Sequence, residues 1–154
     1  MNYHSILSCD VANYIGCRVV LYISGCIHHC KGCQNPQTWD FNGGRLFDDV
    51  AKDYLFKSLD KSYIKGLTIS GGDPLCSYDG VLELCKEVKK LFPNKDICIY
   101  SGFTLEELIN NGKTEILDYI DIFIDGRFIE ELKDLTLEFR GSSNQRILKK
   151  GVDF

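Results

Sequence analysis

The chain has 154 residues, 44% hydrophobic and 26% charged, and its 18 basic and 22 acidic residues leave a net charge of −4. This composition excludes a disordered chain and a basic nucleic-acid footprint. The length predicts one domain over 1–154 and is too short for a complete eight-fold βα barrel, which takes about 250 residues. No apolar run approaches the ~20 residues of a membrane span, and Met1-Asn2-Tyr3-His4 does not open a basic-then-apolar secretory signal, so a cytoplasmic protein is expected.

Along the chain, the segment up to Gly16 carries weak signals and is expected to lie over the core. Residues 17–24, rich in β-branched and apolar side chains, predict a buried strand. A polar loop follows from Gly25 to about Leu46, holding Pro36, Gly43 and Gly44. Loops of that length in compact domains are commonly functional. Apolar residues at 47, 50, 51, 54, 55 and 59 have helical spacing and predict a helix over 47–59. Residues 67–70 form a short strand stopped by Gly71-Gly72-Asp73-Pro74. Ser77 is placed to cap a helix reaching Phe92, whose apolar face is Val81, Leu82, Leu84, Cys85, Val88 and Leu91. Residues 97–100 predict a strand leaving through Ser101-Gly102. Thr104-Leu-Glu-Glu107 has the capping-box pattern of a further helix. Residues 120–124 read as another strand and 135–139 as a last one, before a polar tail through Gly141-Ser-Ser-Asn-Gln145.

Strand and helix alternate from residue 17 to 125, which predicts the α/β class with a mostly parallel sheet and crossover helices. Ligands gather at the carboxyl ends of strands in such sheets. Four unusual segments fall there: the cysteine loop, Gly71-Gly72-Asp73-Pro74, Ser101-Gly102 and Asp125-Gly126-Arg127.

The chain has eight cysteines. Without secretion a disulfide framework is not expected, and clustered thiols point to metal or redox chemistry. Cys85 and Cys98, on an apolar helix face and in a strand, read as small buried hydrophobes. Cys9, Cys17 and Cys76 read as structural or incidental. Cys26, Cys30 and Cys33 form C-x3-C-x2-C in one loop, and soft thiolates at that spacing suit an iron–sulfur cluster or zinc. Structural zinc takes four ligands, and His28 or His29, inside the same short loop, would have to fold back as the fourth. A cluster is the stronger reading. Three thiolates on four irons leave one iron open, as a reactive centre requires. Trp39, the single tryptophan, fits either core packing or a partner surface. His4, His28 and His29 read as loop residues rather than bases.

The cysteine triad after a first strand, followed by Ser70-Gly71-Gly72-Asp73-Pro74 after a second, resembles the radical S-adenosylmethionine (SAM) enzymes. A finer resemblance spans nearly the whole chain and is to the anaerobic (class III) ribonucleotide reductase activating proteins. It is carried by Met1-Asn-Tyr3, Ser24-Gly-Cys26, Gly32-Cys33, Asn35, Thr38-Trp39, Gly71-Gly-Asp-Pro-Leu75, Asp125-Gly-Arg127 and Arg140-Gly-Ser-Ser-Asn-Gln145. The resemblance implies a partial, open (β/α) barrel. It implies a 4Fe-4S cluster on Cys26, Cys30 and Cys33, with SAM chelating the open iron. Gly72 and its neighbours Ser70, Gly71 and Asp73 would bind the SAM amino group, and Ser101 would join the cofactor-binding set. Gly32 and Gln34 would lie against adenine, and Asp125 and Arg127 would contact the methionyl or ribose portion. Gln34 stands where that family commonly has tyrosine. The implied reaction is reductive cleavage of SAM to a 5′-deoxyadenosyl radical, which takes hydrogen from a glycine of the large reductase subunit. A low-potential donor such as flavodoxin would supply the electron; no nucleic acid or membrane is implied. The alternatives are an activase of another glycyl radical enzyme of the pyruvate formate-lyase type, a small-molecule radical enzyme, an electron carrier and a non-enzymatic zinc-binding module.

Overall fold

The computed structural model describes residues 1–154. Seven strands form one sheet: β1 (Asn2–Asp10), β2 (Arg18–Ile23), β3 (Arg45–Leu46), β4 (Gly66–Gly71), β5 (Asp96–Tyr100), β6 (Ile122–Asp125) and β7 (Arg146–Lys149). Their order is β3-β1-β2-β4-β5-β6-β7. The central β2, β4, β5 and β6 are mutually parallel, while β1, β3 and β7 pair antiparallel at the flanks. Three helices, α1 (Asp49–Leu59), α2 (Tyr78–Leu91) and α3 (Leu105–Asn110), occupy crossovers between the parallel strands. The α/β class and the parallel centre match the expectation. The sheet is open, with β3 and β7 as edges, and it does not close into a barrel. No helix is long and apolar enough to cross a membrane.

The two faces of the sheet divide the work, because side chains alternate along each strand. Val19, Leu21, Ile23, Leu67, Ile69, Ile97, Ile99 and Phe123 join residues of all three helices in one cluster of 21 buried residues. Each fully buried aliphatic side chain contributes about 1.5–3 kcal/mol. The helix-covered face therefore carries most of the stabilisation and leaves the other face free to be polar. On that second face the strand registers align Tyr22, Ser70, Tyr100 and Ile124 in neighbouring strands, above a row of Val20, Thr68, Cys98 and Ile122. Arg18 lies at the foot of this face, wholly buried. Its guanidinium donates to Thr68 Oγ1 and to the carbonyls of Ile15 and Leu67, and it pairs with Asp96. A buried charge needs that full set of partners.

Four expectations are corrected. The N-terminal segment is not a cover but β1, paired with β2; register shifts after Tyr3 and Leu7 break its alternation and hide the strand in the sequence. Residues 135–139 are not a strand: Leu135 is 83% exposed and Phe139 has φ +59°. The last strand is instead β7, so the polar 141–145 segment is an internal connection and not a tail. Ser77 makes no cap bond; Asp73 accepts from Leu75 N and opens a single 3-10 turn, Pro74–Ser77, that runs straight into α2. Finally, Cys9 and Cys17 form a disulfide. The β1–β2 pairing of Asp10 with Arg18 brings them together. The capping box at Thr104 and Glu107 is present as expected.

Candidate functional site

The cysteine loop leaves β2 at the carboxyl end of the parallel strands and closes on itself. Gly25 N donates to Thr38 O at 2.7 Å and Cys26 N to Trp39 O at 3.1 Å. Within it, Cys33 N returns to Cys30 O, and Gly32 at φ +75° supplies the left-handed residue of that turn. The turn after β4 docks directly onto this loop: Gly72 N donates to Ile23 O and Asp73 N to Gly25 O, both at 2.8 Å. A Cβ on Gly72 would lie 2.4 Å from Gly25 O and 2.7 Å from Thr38 O. Glycine is required there because two backbones touch.

These segments surround a cleft of about 120 Å³, lined by Cys26, Cys30, Cys33, Ser70, Gly71, Gly72, Asp73 and Ser101 together with His28, Trp39, Gly126, Phe128 and Gln145. Beside it lies a larger cavity of about 460 Å³, which shares Cys33, Ser70, Tyr100, Phe128 and Gln145 with the first. Gln34 lines the larger space, as do Asn13, Tyr22, Phe139 and Arg140. Most of the sequence-assigned residues are thus brought together. Gly32, Asp125 and Arg127 are not in either wall.

Asp73 is 1% exposed and its carboxylate is fully engaged. It accepts from Leu75 N, Gly102 N, Ser101 Oγ and the His28 ring. Asp73 therefore joins the exit of β4 to the exit of β5 and to the cysteine loop. Cys76 lies nearby, so nitrogen, oxygen and sulfur of His28, Asp73 and Cys76 fall within 4.8 Å of one another. The Asp73 oxygens are already taken by four groups, and burial pushes the Cys76 thiol up to about 11. Cys85 and Cys98 are pushed up by burial to about 12, as expected of small core hydrophobes.

Asp125, also buried, accepts from Leu105 N at the start of α3 and from Arg146. Arg127 holds Glu107 with two bonds of 2.9 and 3.1 Å, and Arg146 holds Glu106. The 140–145 connection braces the same region. Gln145 donates to Gly126 O and accepts from Gly141 N and Ser142 N, and Asn144 donates to Arg127 O. Gly126 and Phe128 are thereby fixed in the cleft wall. Arg146 draws the Glu106 carboxyl from an ordinary 4.5 down to about 2, and Arg127 lowers Glu107. Depressed carboxyl values favour the fold above about pH 4.5, and the contribution is lost as pH falls through the folded value near 2. Amide protection factors in α3, which are free of the intrinsic rate, should fall over that window, and Arg146→Met should shrink that fall to the part Glu107 contributes. Unchanged α3 protection down to pH 2 would contradict the assignment.

Cys26, Cys30 and Cys33 face one cleft, and three soft thiolates gathered there suit an iron–sulfur group. Burial raises the Cys26 and Cys30 thiols, so ligation there must expel protons. Two buried polar atoms, Ser24 Oγ and Trp39 Nε1, have no partner and flank the Cys26 segment. Trp39 stacks on His29 at 4.5 Å. Tyr100 and Phe128 line the cleft without being assigned to it from the sequence, and neither carries a local signal. His28, expected as a loop residue, is instead buried against Asp73. Gln145 stands within the Arg140–Gln145 motif.

A domain model described as a 4Fe-4S single cluster domain matches residues 12–148, which agrees with a three-thiol cleft at the end of a parallel sheet. The chain is 43% identical over 151 residues to the anaerobic ribonucleoside-triphosphate reductase-activating protein of Vibrio cholerae, covering 96% of this chain and 97% of that one. It is 40% identical over 149 residues to the protein of that name from Escherichia coli K12, covering 94% and 96%, and 43% identical over 149 residues to that of Enterobacteria phage T4, covering 96% and 93%. The chain belongs to the family of anaerobic ribonucleoside-triphosphate reductase-activating proteins.

Proposed function

We propose that this chain is a radical SAM enzyme that activates anaerobic ribonucleoside-triphosphate reductase by raising a glycyl radical on its large subunit. The observation that carries the reading is the convergence of three thiols and the Gly71-Gly72 turn on one cleft, at the carboxyl ends of the parallel strands. When bound, a 4Fe-4S cluster and SAM supply the chemistry: one electron cleaves SAM to methionine and a 5′-deoxyadenosyl radical, which takes a hydrogen atom from the glycine.

The protein's own residues bind, orient and exclude water. Cys26, Cys30 and Cys33 hold the cluster. Ser70, Gly71 and Gly72 offer backbone and hydroxyl groups to the SAM amino group, and Asp73 and Ser101 hold that turn in place. The larger cavity takes the adenosyl portion, with Gln34 at its edge. Phe128 and Tyr100 offer it aromatic surface that the position after Cys33 lacks. Gly32, Asp125 and Arg127 act from outside the wall, through the Cys30–Cys33 turn and the placement of Gly126 and Phe128. The open sheet leaves one side of the cleft for a loop of the partner to cover, which would shield a reactive species from water. A flavodoxin-type donor is the proposed electron source.

The test is anaerobic reconstitution with iron and sulfide, then paramagnetic resonance of the reduced cluster with and without SAM. A signal that changes on adding SAM supports the reading. Reductase and a pyruvate formate-lyase type enzyme are then offered separately. A glycyl radical on the reductase is expected, and one appearing only on the other enzyme would reassign the substrate.

A further inference from the structure

His28 stands between Cys26 and Cys30, in a loop where a side chain has no structural need to be buried. Its side chain is nevertheless 4% exposed. The ring's Nε2 lies 2.7 Å from Asp73 Oδ2, within hydrogen-bond distance. Phe103 meets the ring edge-on, with centroids 4.6 Å apart. Gly102 completes the socket. A Cβ there would fall 2.5 Å from His28 Cδ2 and 2.8 Å from Nε2, and the three nearest atoms it would meet all belong to this ring. Thus the cysteine loop, the turn after β4 and the exit of β5 meet on one imidazole.

We propose that His28 is a positioning residue: it fixes the cysteine loop against the Gly71-Gly72-Asp73 turn, and so sets where the cluster's open iron lies relative to the groups that receive SAM. This rests on the radical SAM reading. It concerns geometry between two backbone segments, which no thiol ligand by itself controls. Partners that orient a metal's ligands are typically worth 10–100-fold in affinity or activity.

The experiment is a double-mutant cycle on reconstituted protein, using His28→Ala, Gly102→Ala, both together, and His28→Gln. Three quantities are read: iron and sulfide per chain, the cluster's midpoint potential, and the SAM concentration that half-converts the reduced cluster's paramagnetic signal. His28→Ala and Gly102→Ala should each retain the cluster and raise the SAM midpoint about tenfold. The double variant should be no worse than His28→Ala, because the ring that a methyl at 102 would strike is gone. His28→Gln, which keeps a donor near Asp73, should recover most of the affinity. An unchanged SAM midpoint in iron-loaded His28→Ala, or fully additive effects in the double variant, overturns the proposal. If His28→Ala loses its iron, Gly102→Ala decides alone, since it shifts the ring without removing any side chain of the cysteine loop. A wild-type cluster indifferent to SAM sinks the parent reading instead. The midpoint potentials then still test positioning, through the same non-additive pattern.

Discussion

Cys30→Ser should yield a folded chain that no longer retains a four-iron cluster, with activation of the reductase falling to background. The fold should survive because the loop is closed by its own backbone bonds from Gly25 and Cys26 to Thr38 and Trp39, none of which uses the Cys30 thiol. The cluster should not, because a serine oxygen is a harder and far less acidic ligand than a thiolate. The loss should exceed the roughly 10–100-fold typical of an outer partner. Circular dichroism, iron and sulfide analysis, and the glycyl radical yield on the reductase check the three statements separately. Cys76→Ser, outside the cleft wall, is the matched control and should keep its iron. A Cys30→Ser protein with four irons and full activation would remove Cys30 from the ligand set.

Gly72→Ala should destabilise the chain by about 1–3 kcal/mol and weaken the response of the reduced cluster to SAM. The added methyl would meet Gly25 O at 2.4 Å and Thr38 O at 2.7 Å. Both are backbone atoms of the cysteine loop, so neither can rotate aside as a side chain would. The turn or the loop must shift, and either movement changes the distance between the thiols and the glycine backbone. Urea unfolding with an unchanged slope and a lowered midpoint reports the first effect. SAM titration of the paramagnetic signal reports the second. A wild-type midpoint in both would mean the contact relaxes without cost.

Much of the site was legible because its chemistry is local. The cysteine spacing, the Gly71-Gly72-Asp73-Pro74 turn and the strand ends that carry them are contiguous in the sequence, and β2, β4, β5 and β6 each have a plain apolar run, whereas the two exposed residues of β3 read as loop. What escaped was either partner-dependent or irregular. β1 is half-buried with interrupted alternation, and it becomes a strand only by pairing with β2. The alternating 135–139 run imitates a strand, but Phe139 turns left-handed to pack on Tyr14. The part assigned to Asp73 was also incomplete: its place in the cleft was foreseen, but not the four groups that consume its charge, three of which lie more than 25 residues away. The burial of His28, read as a loop residue, depends in the same way on distant partners, Phe103 and Gly102.

The Cys9–Cys17 bridge gives the larger cavity a chemical history. Nine residues form a covalent ring, and Ala12 and Asn13 within it line that cavity while Asn13 O receives Thr68 Oγ1. Cys9 is exposed, so a dithiol in the buffer reaches the bridge and opens it by exchange. A thiol-free preparation presents the ring closed. Two laboratories assaying the same chain, one with a thiol and one without, therefore handle two redox forms of the cavity wall, the second poorer by two hydrogens. Their affinities for an adenosyl ligand are comparable only once the thiol count per chain has been measured.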